Sequence, residues 1–276
     1  MKDSDLSFII PIYNMGNTLP DALESVSKVT GIFFEVVLIN DGSTDQTAGV
    51  VDAFRKKMNS REEVSVKILS VSNSGRGAAR NLGVRHASGK YISFLDADDT
   101  IDSKEFLKLW KCADMNNRNY DLVIGQFKIV GENGETYTRR ALKPNTTSKQ
   151  LLNRIALSPF SPIHMNAMLI KRTLFDRIDE FDTKNINAED KDVTIQLLKA
   201  ADTVTICQSV HYLYHKHQIG RLKTAKKRLQ WLWFRQKSLY SNYSGWLRIL
   251  SMILQANYDV VKLVYEMILG YRGRRG

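Results

Sequence analysis

The segment Asp96-Ala97-Asp98-Asp99 places three carboxylates within four residues. Carboxylates this close repel one another unless water, hydrogen bonds or a cation offsets their charge. An all-oxygen donor set with open positions suits Mg2+ or Mn2+, ions that also hold diphosphates. The plain alternative is a helix start, where acids are also favoured. Three earlier segments add to the picture. Phe8-Ile9-Ile10-Pro11-Ile12-Tyr13-Asn14 presents an aromatic ring that could stack on a base. Val37-Leu38-Ile39-Asn40-Asp41-Gly42-Ser43-Thr44-Asp45 presents a carboxylate able to accept a hydrogen bond from a pyrimidine imide N–H. Asn73-Ser74-Gly75-Arg76-Gly77-Ala78-Ala79-Arg80-Asn81 opens a helix with glycines and two arginines, a combination that favours anions. Taken singly, each segment also reads as a turn or a cap. The glycine loops of dinucleotide-binding and P-loop proteins are excluded, because neither GxGxxG nor GxxxxGKS/T occurs.

The elements that must carry these residues alternate in period. Apolar runs at 6–12, 35–40, 64–71 and 91–95 fit buried strands. Between them, 17–27, 44–58 and 75–86 have helical spacing. Strand–helix alternation with near-continuous apolar strands predicts an α/β fold, a mostly parallel sheet covered on both faces. Ligands bind such sheets beyond the carboxyl ends of the strands. Asn14, Asp41, Asn73 and Asp96 all fall just past predicted strand ends. Farther along, helices are expected at 103–118, 148–157 and 188–200, and strands at 122–130, 165–170, 203–207 and 209–214. Gly131–Gly134 reads as a hairpin turn into 135–138. The 188–200 helix opens with the acids Glu189 and Asp190.

The 276 residues are 43% hydrophobic and 25% charged, which excludes disordered, collagenous and coiled-coil classes for the chain as a whole. The formal charge of +11 is unevenly spread. Residues 221–276 hold twelve Lys and Arg against two acids, Asp259 and Glu266, whereas residues 1–220 are close to neutral. This argues against a protein that coats nucleic acid, and for a near-neutral body with a basic extension. Two helices are expected there, broken near Asn242–Gly245, with Trp231, Trp233, Phe234 and Tyr240 interleaved among basic residues. Cys112 and Cys207 lie far apart without CxxC spacing and are expected to be buried free thiols. The first residues lack the apolar run of a signal peptide, and no apolar stretch reaches ~18 residues, so a cytoplasmic protein is expected.

In combination and in this order, the segments IPIYN, VLINDGSTD, NSGRGAARNLG and YISFLDADD resemble the family 2 glycosyltransferases of GT-A fold. The resemblance covers roughly residues 6–217 and is strongest over 6–102. It implies a catalytic domain at 1–220, with a nucleotide-binding half at 1–102 and an acceptor-binding half at 103–220, followed by the helical extension at 221–276. It implies inverting transfer of a sugar, most often from a UDP-linked donor. Pro11 and Tyr13 would line the uracil pocket, and Asp41 would read the uracil edge. Asn73 and Arg80 would complete the base and phosphate contacts. Asp96 would sit near the ribose and the metal shell, and Asp98 would bind the Mn2+ or Mg2+ that bridges the diphosphate. Asp190 would be the general base, with Asp192 as the competing candidate and Glu189 orienting the base or touching the acceptor. His217 would add a metal ligand, with His215 the alternative. The other histidines, His86, His164 and His211, read as structural. Where such proteins usually carry Ser or Thr, this chain has Ile219-Gly220-Arg221.

The acceptor would be a glycan, a lipid-linked sugar or a glycoprotein. Three uses of the basic extension stay open: docking on an anionic inner membrane leaflet, pairing with a second copy or packing on the body, and binding an anionic polymer. The competing functional class is a non-catalytic basic protein that binds membrane or polyanion on the same scaffold. The acids at Asp41, Asp96, Asp98 and Asp190 favour the enzyme.

Overall fold

The computed structural model describes residues 4–114, 119–131, 133–138, 141–157, 161–184 and 189–216, with 236–237, 240–246, 248–254 and 256–257. The strands are β1 (Leu6–Ile12), β2 (Phe34–Asp41), β3 (Val64–Val71), β4 (Tyr91–Phe94), β5 (Thr100–Ile101), β6 (Leu122–Val130), β7 (Thr136–Thr138), β8 (Met168–Lys171) and β9 (Val204–His215). The helices are α1 (Leu19–Ser27), α2 (Thr47–Met58), α3 (Arg76–His86), α4 (Ser103–Asp114), α5 (Ser148–Leu157) and α6 (Glu189–Ala200).

One nine-stranded sheet runs in the order β3-β2-β1-β4-β8-β6-β9-β5, with β7 pairing on β6. The strands β3, β2, β1 and β4 are all parallel. The antiparallel strand β8 joins β4 to β6. Every residue of β1 is buried, as a central strand covered on both faces requires. The period-2 alternation divides it. Phe8, Ile10 and Ile12 pack into one cluster with α1, α2 and α4 residues such as Leu19, Phe54 and Phe106. Ile9 packs into the other, with Ala79 of α3, Leu151 of α5 and Val193 of α6. The carboxyl ends of β1, β2 and β4 lie together in register, so their following loops meet at one edge.

Several expectations need correction. Residues 165–170 do not form one strand: Met165–Ala167 is a 3-10 turn, and only Met168–Lys171 extends. The two strands expected at 203–207 and 209–214 are one, β9, whose pairing with β6 shifts register around Gln126. The irregularity is a local bulge that leaves the strand continuous. The short β5 and the 3-10 turn Arg172–Arg177 carry too little periodicity to be foreseen. Cys112 and Cys207 are not free thiols but form a disulfide between α4 and β9, with Cα atoms 6.2 Å apart. Residues 115–118 of the expected 103–118 helix lie outside the described residues, as does most of 221–276.

Candidate active site

The loops beyond β1 and β2 are knitted together. Asn14, with φ 52°, occupies the left-handed region that Asn tolerates, and its side chain accepts from Thr44 N–H at 2.8 Å. Its own N–H donates to Ser43 Oγ at 3.0 Å. Asp41, buried at the end of β2, gathers the loop before α3: Oδ1 accepts from Ser74 N–H at 2.8 Å, and Oδ2 accepts from Gly75 N–H at 2.9 Å. Gly42 sits beneath that loop at φ 74°. A Cβ there would come within 2.7 Å of Asn73 N, so the approach of the two loops depends on glycine.

These loops enclose a pocket of about 380 Å³. Pro11, Tyr13, Asp41, Asn73, Asp96 and Asp98 all line it, so six of the residues singled out from sequence meet in one cavity. Tyr13 is 48% exposed, with its ring available at the mouth. Arg76, unassigned in the sequence reading, also lines the pocket. Arg80, expected at the phosphates, does not. It is buried behind Asp96, donating from Nη2 to Asp96 Oδ1 at 2.7 Å and from Nη1 to Glu189 Oε1 at 3.2 Å. Glu189 is also buried and accepts from Arg76 Nε at 2.7 Å. It therefore faces the arginines of α3, and touching an acceptor is not its position. Arg76 and Arg80 stand four residues apart on one face of α3, a spacing from which a shared partner could have been inferred.

The acids differ in environment. Burial would raise the Asp96 carboxyl, but Arg80 and Arg76 outweigh it and hold the group below its ordinary value. Among the described residues, no ion pair joins Asp99 to a cation. Burial, then the charge of Asp96, push it up to about 8, although its hydrogen bonds to Tyr212 and His215 work in the other direction. Asp99 accepts from Tyr212 O–H and, at 2.7 Å, from His215 N–H, so it fastens the loop after β4 to the end of β9. Ligand oxygens of Asp96, Asp98 and Asp99 lie within 4.8 Å of one another. Three hard oxygen donors this close together fit a divalent cation of the Mg2+ or Mn2+ type.

Asp190 lies in the first turn of α6, half-buried, with Oδ1 accepting from Lys191 N–H at 2.7 Å. The charges of Asp96, Glu189 and Asp190 together outweigh burial and raise the Arg76 guanidinium above its ordinary value, which places all three acids around one cation. Asp192, the competing base, is held by Gln196 Nε2 at 3.1 Å and Asn242 Nδ2 at 2.5 Å. His217 lies outside the described residues. His215 points its Nε2 at Thr100 Oγ1, 2.9 Å away. His164 stacks on Tyr212 with centroids 4.9 Å apart, and its pKa is lowered by burial against the opposing pull of Asp190 and Asp96. It stands near both acids, a placement its sequence position did not signal.

A sequence model described as glycosyl transferase family 2 matches residues 7–178. The chain is 25% identical over 217 residues to the uncharacterized glycosyltransferase EpsJ of Bacillus subtilis, spanning 77% of this chain and 61% of that protein. It is 29% identical over 218 residues to the poly(ribitol-phosphate) beta-N-acetylglucosaminyltransferase TarS of Staphylococcus aureus, spanning 78% of this chain and 36% of TarS. The chain thus covers less than two thirds of the length of these curated relatives. The crystal structure of S. aureus TarS 1–349 matches with a TM-score of 0.67 at 22% identity, covering 92% of this chain and 71% of that one. The same TarS fragment has been solved with UDP-GlcNAc. The mannosyltransferase PcManGT of Pyrobaculum calidifontis, solved with GDP-Man and Mn2+, matches with a TM-score of 0.63 at 15% identity, covering 94% of this chain and 70% of that one. At these identities the structures speak for the fold, and the fold is GT-A.

Proposed function

The chain belongs to glycosyl transferase family 2, and from that premise we propose that it is a metal-dependent inverting glycosyltransferase. It moves a sugar from a UDP-sugar donor to a hydroxyl of a glycan, lipid-linked or glycoprotein acceptor. The observation that carries this reading is the single pocket into which Pro11, Tyr13, Asp41, Asn73, Asp96 and Asp98 converge at the carboxyl ends of the parallel strands. Tyr13 stacks on the uracil. Asp41 faces the base edge while its oxygens also hold the Ser74–Gly75 backbone. Asn73 completes the base contacts. Asp98, with Asp96 beside it, holds the Mn2+ or Mg2+. When bound, that cation offsets the negative charge that develops on departing UDP.

Asp190 takes the proton from the acceptor hydroxyl as its oxygen bonds to the anomeric carbon. The bond from that carbon to UDP breaks, UDP leaves with the electron pair, and attack from the opposite face inverts the centre. What supports this role is the place of Asp190 in the first turn of α6, next to Glu189, which Arg76 of the pocket lining holds at 2.7 Å. The basic extension, with +10 over residues 221–276, brings the enzyme to an anionic membrane leaflet where a lipid-linked acceptor would reside. No helix among the described residues is long and apolar enough to cross a membrane.

The test is UDP release from a panel of UDP-sugars with and without Mn2+. Release dependent on the cation is expected, and none from any donor would overturn the reading. Asp190→Asn is expected to keep Mn2+-supported UDP binding and to lower transfer by at least ~100-fold. Surviving transfer would move the base elsewhere.

A further inference from the structure

We propose that Arg80 and Glu189 form a buried positioning pair that holds the donor-side carboxylate Asp96 and the first turn of α6, where Asp190 stands, in fixed relation. The inference rests on the glycosyltransferase reading above. Arg80 comes from α3 and Glu189 from α6, 109 residues later in the chain. Arg80 is 2% exposed and Glu189 1%. The Arg80 guanidinium spans the two carboxylates, 2.7 Å from Asp96 Oδ1 and 3.2 Å from Glu189 Oε1, and lies 5.6 Å from the centroid of the Phe181 ring. A planar fork with several donors in fixed directions can hold two carboxylates at once, which an ammonium cannot do with the same rigidity. Arg76 adds a second hold on Glu189 from the pocket side, at 2.7 Å.

Stability is a poor explanation for this arrangement. Buried ion pairs are often no more stable than apolar residues of similar volume. This one is not fully satisfied either: among the described residues, Arg80 Nε and Glu189 Oε2 have no hydrogen-bond partner. A partly satisfied buried network costs stability, so its usefulness lies in where it puts charge. Fixing Oδ1 of Asp96 fixes the direction of its other oxygen beside Asp98. Fixing Glu189 fixes the backbone from which Asp190 projects. A base displaced by an ångström can cost ~100-fold in rate, and the pair ties that base to the donor acids through a single side chain.

The experiment compares wild type, Arg80→Met, Arg80→Lys and Glu189→Gln in the full chain. It reads Mn2+-supported UDP affinity by calorimetry, kcat and KM by UDP release, and melting temperature. Glu189→Gln leaves Arg80 on Asp96, so UDP affinity should stay within about twofold while kcat falls at least ~10-fold. Arg80→Met frees both carboxylates, so UDP affinity and kcat should both fall. Arg80→Lys should recover UDP affinity more than kcat, since one point charge can follow only one carboxylate. If Arg80→Met does not fold, the Lys and Gln variants still decide. A folded Glu189→Gln with wild-type kcat, or Arg80→Lys with wild-type kcat, overturns the pair while leaving the enzyme reading intact. A wild type that neither binds UDP nor releases it overturns the enzyme reading, and the pair with it.

Discussion

At the scale of single residues, the site separates acids by burial and by which of them line the pocket. Asp99 is buried and spent on Tyr212 and His215, whereas Asp98 is half-buried and faces the pocket. The two should therefore fail differently. Asp98→Asn is expected to lower Mn2+-supported UDP affinity at least ~10-fold, because it removes a charged donor from the pocket wall. Tyr212→Phe leaves Asp99 and Asn166 Nδ2, 2.8 Å from the same hydroxyl, without that partner. It is expected to cost about 1–3 kcal/mol of stability and to spare much of the UDP affinity. Calorimetry and denaturant melts on the two variants check this, and equal losses of affinity would sink the division. The acids were legible in sequence because three carboxylates at a strand end are costly without a purpose. Their sorting was not, since the residues that sort them, Arg80, Tyr212 and Glu189, are adjacent only through the fold. Arg80 is the clearest case. A guanidinium in a glycine-rich helix start reads as a phosphate ligand until burial shows that two carboxylates own it.

At the scale of elements, the first half of the chain was legible because strand and helix periods differ and the inner strands β1, β2 and β4 are buried nearly throughout. The predicted 6–12, 64–71 and 122–130 strands match the observed bounds. The second half was less so, because β9 pairs with both β6 and β5 and its register against β6 shifts midway. One consequence sits in β9. His211 is wholly buried, its ring edge-on to Phe106 at 5.5 Å. It lies over Gly125 of β6, where a Cβ would approach the ring to 2.6 Å. Burial drives its pKa down to about 3. In the unfolded chain an imidazole takes up a proton near pH 6.5. Between those values the unfolded state binds more protons, so stability falls as pH falls, by ~1.4 kcal/mol per unit. From pH 7.5 to 5 this one group should remove about 2 kcal/mol. His164, also lowered by burial, adds a loss of the same sign. His211→Leu should shrink the loss between pH 7.5 and 5 by about that 2 kcal/mol. Urea melts at the two pH values measure it, and an unchanged difference would remove His211 as a source of acid lability.

At the scale of the whole molecule, the charge and the chemistry occupy different places. The pocket is rich in acids, and the +10 lies after residue 220. The described part of that extension is fastened to the body by Tyr243, buried, whose hydroxyl donates to Leu152 O at 2.9 Å, and by Lys237, 3.4 Å from Asp182. On the outward side Trp246, Ile249 and Ile253 are 71%, 62% and 52% exposed, at the i, i+3, i+7 spacing of one helix face. An exposed apolar stripe within a strongly basic segment matches an anionic lipid surface in both respects, with apolar groups for the acyl boundary and cations for the headgroups. The two contributions can be read separately. Wild type is expected to sediment with vesicles containing phosphatidylglycerol and not with phosphatidylcholine alone. Raising the salt concentration should weaken sedimentation by screening the basic residues. Trp246→Ser combined with Ile249→Ser and Ile253→Ser should weaken it at low salt while leaving UDP release in solution unchanged, because none of the three lines the pocket. Equal sedimentation with both lipids would remove the basic residues from the binding, and a solution dimer that the triple variant dissolves would assign the stripe to a second copy of the chain instead.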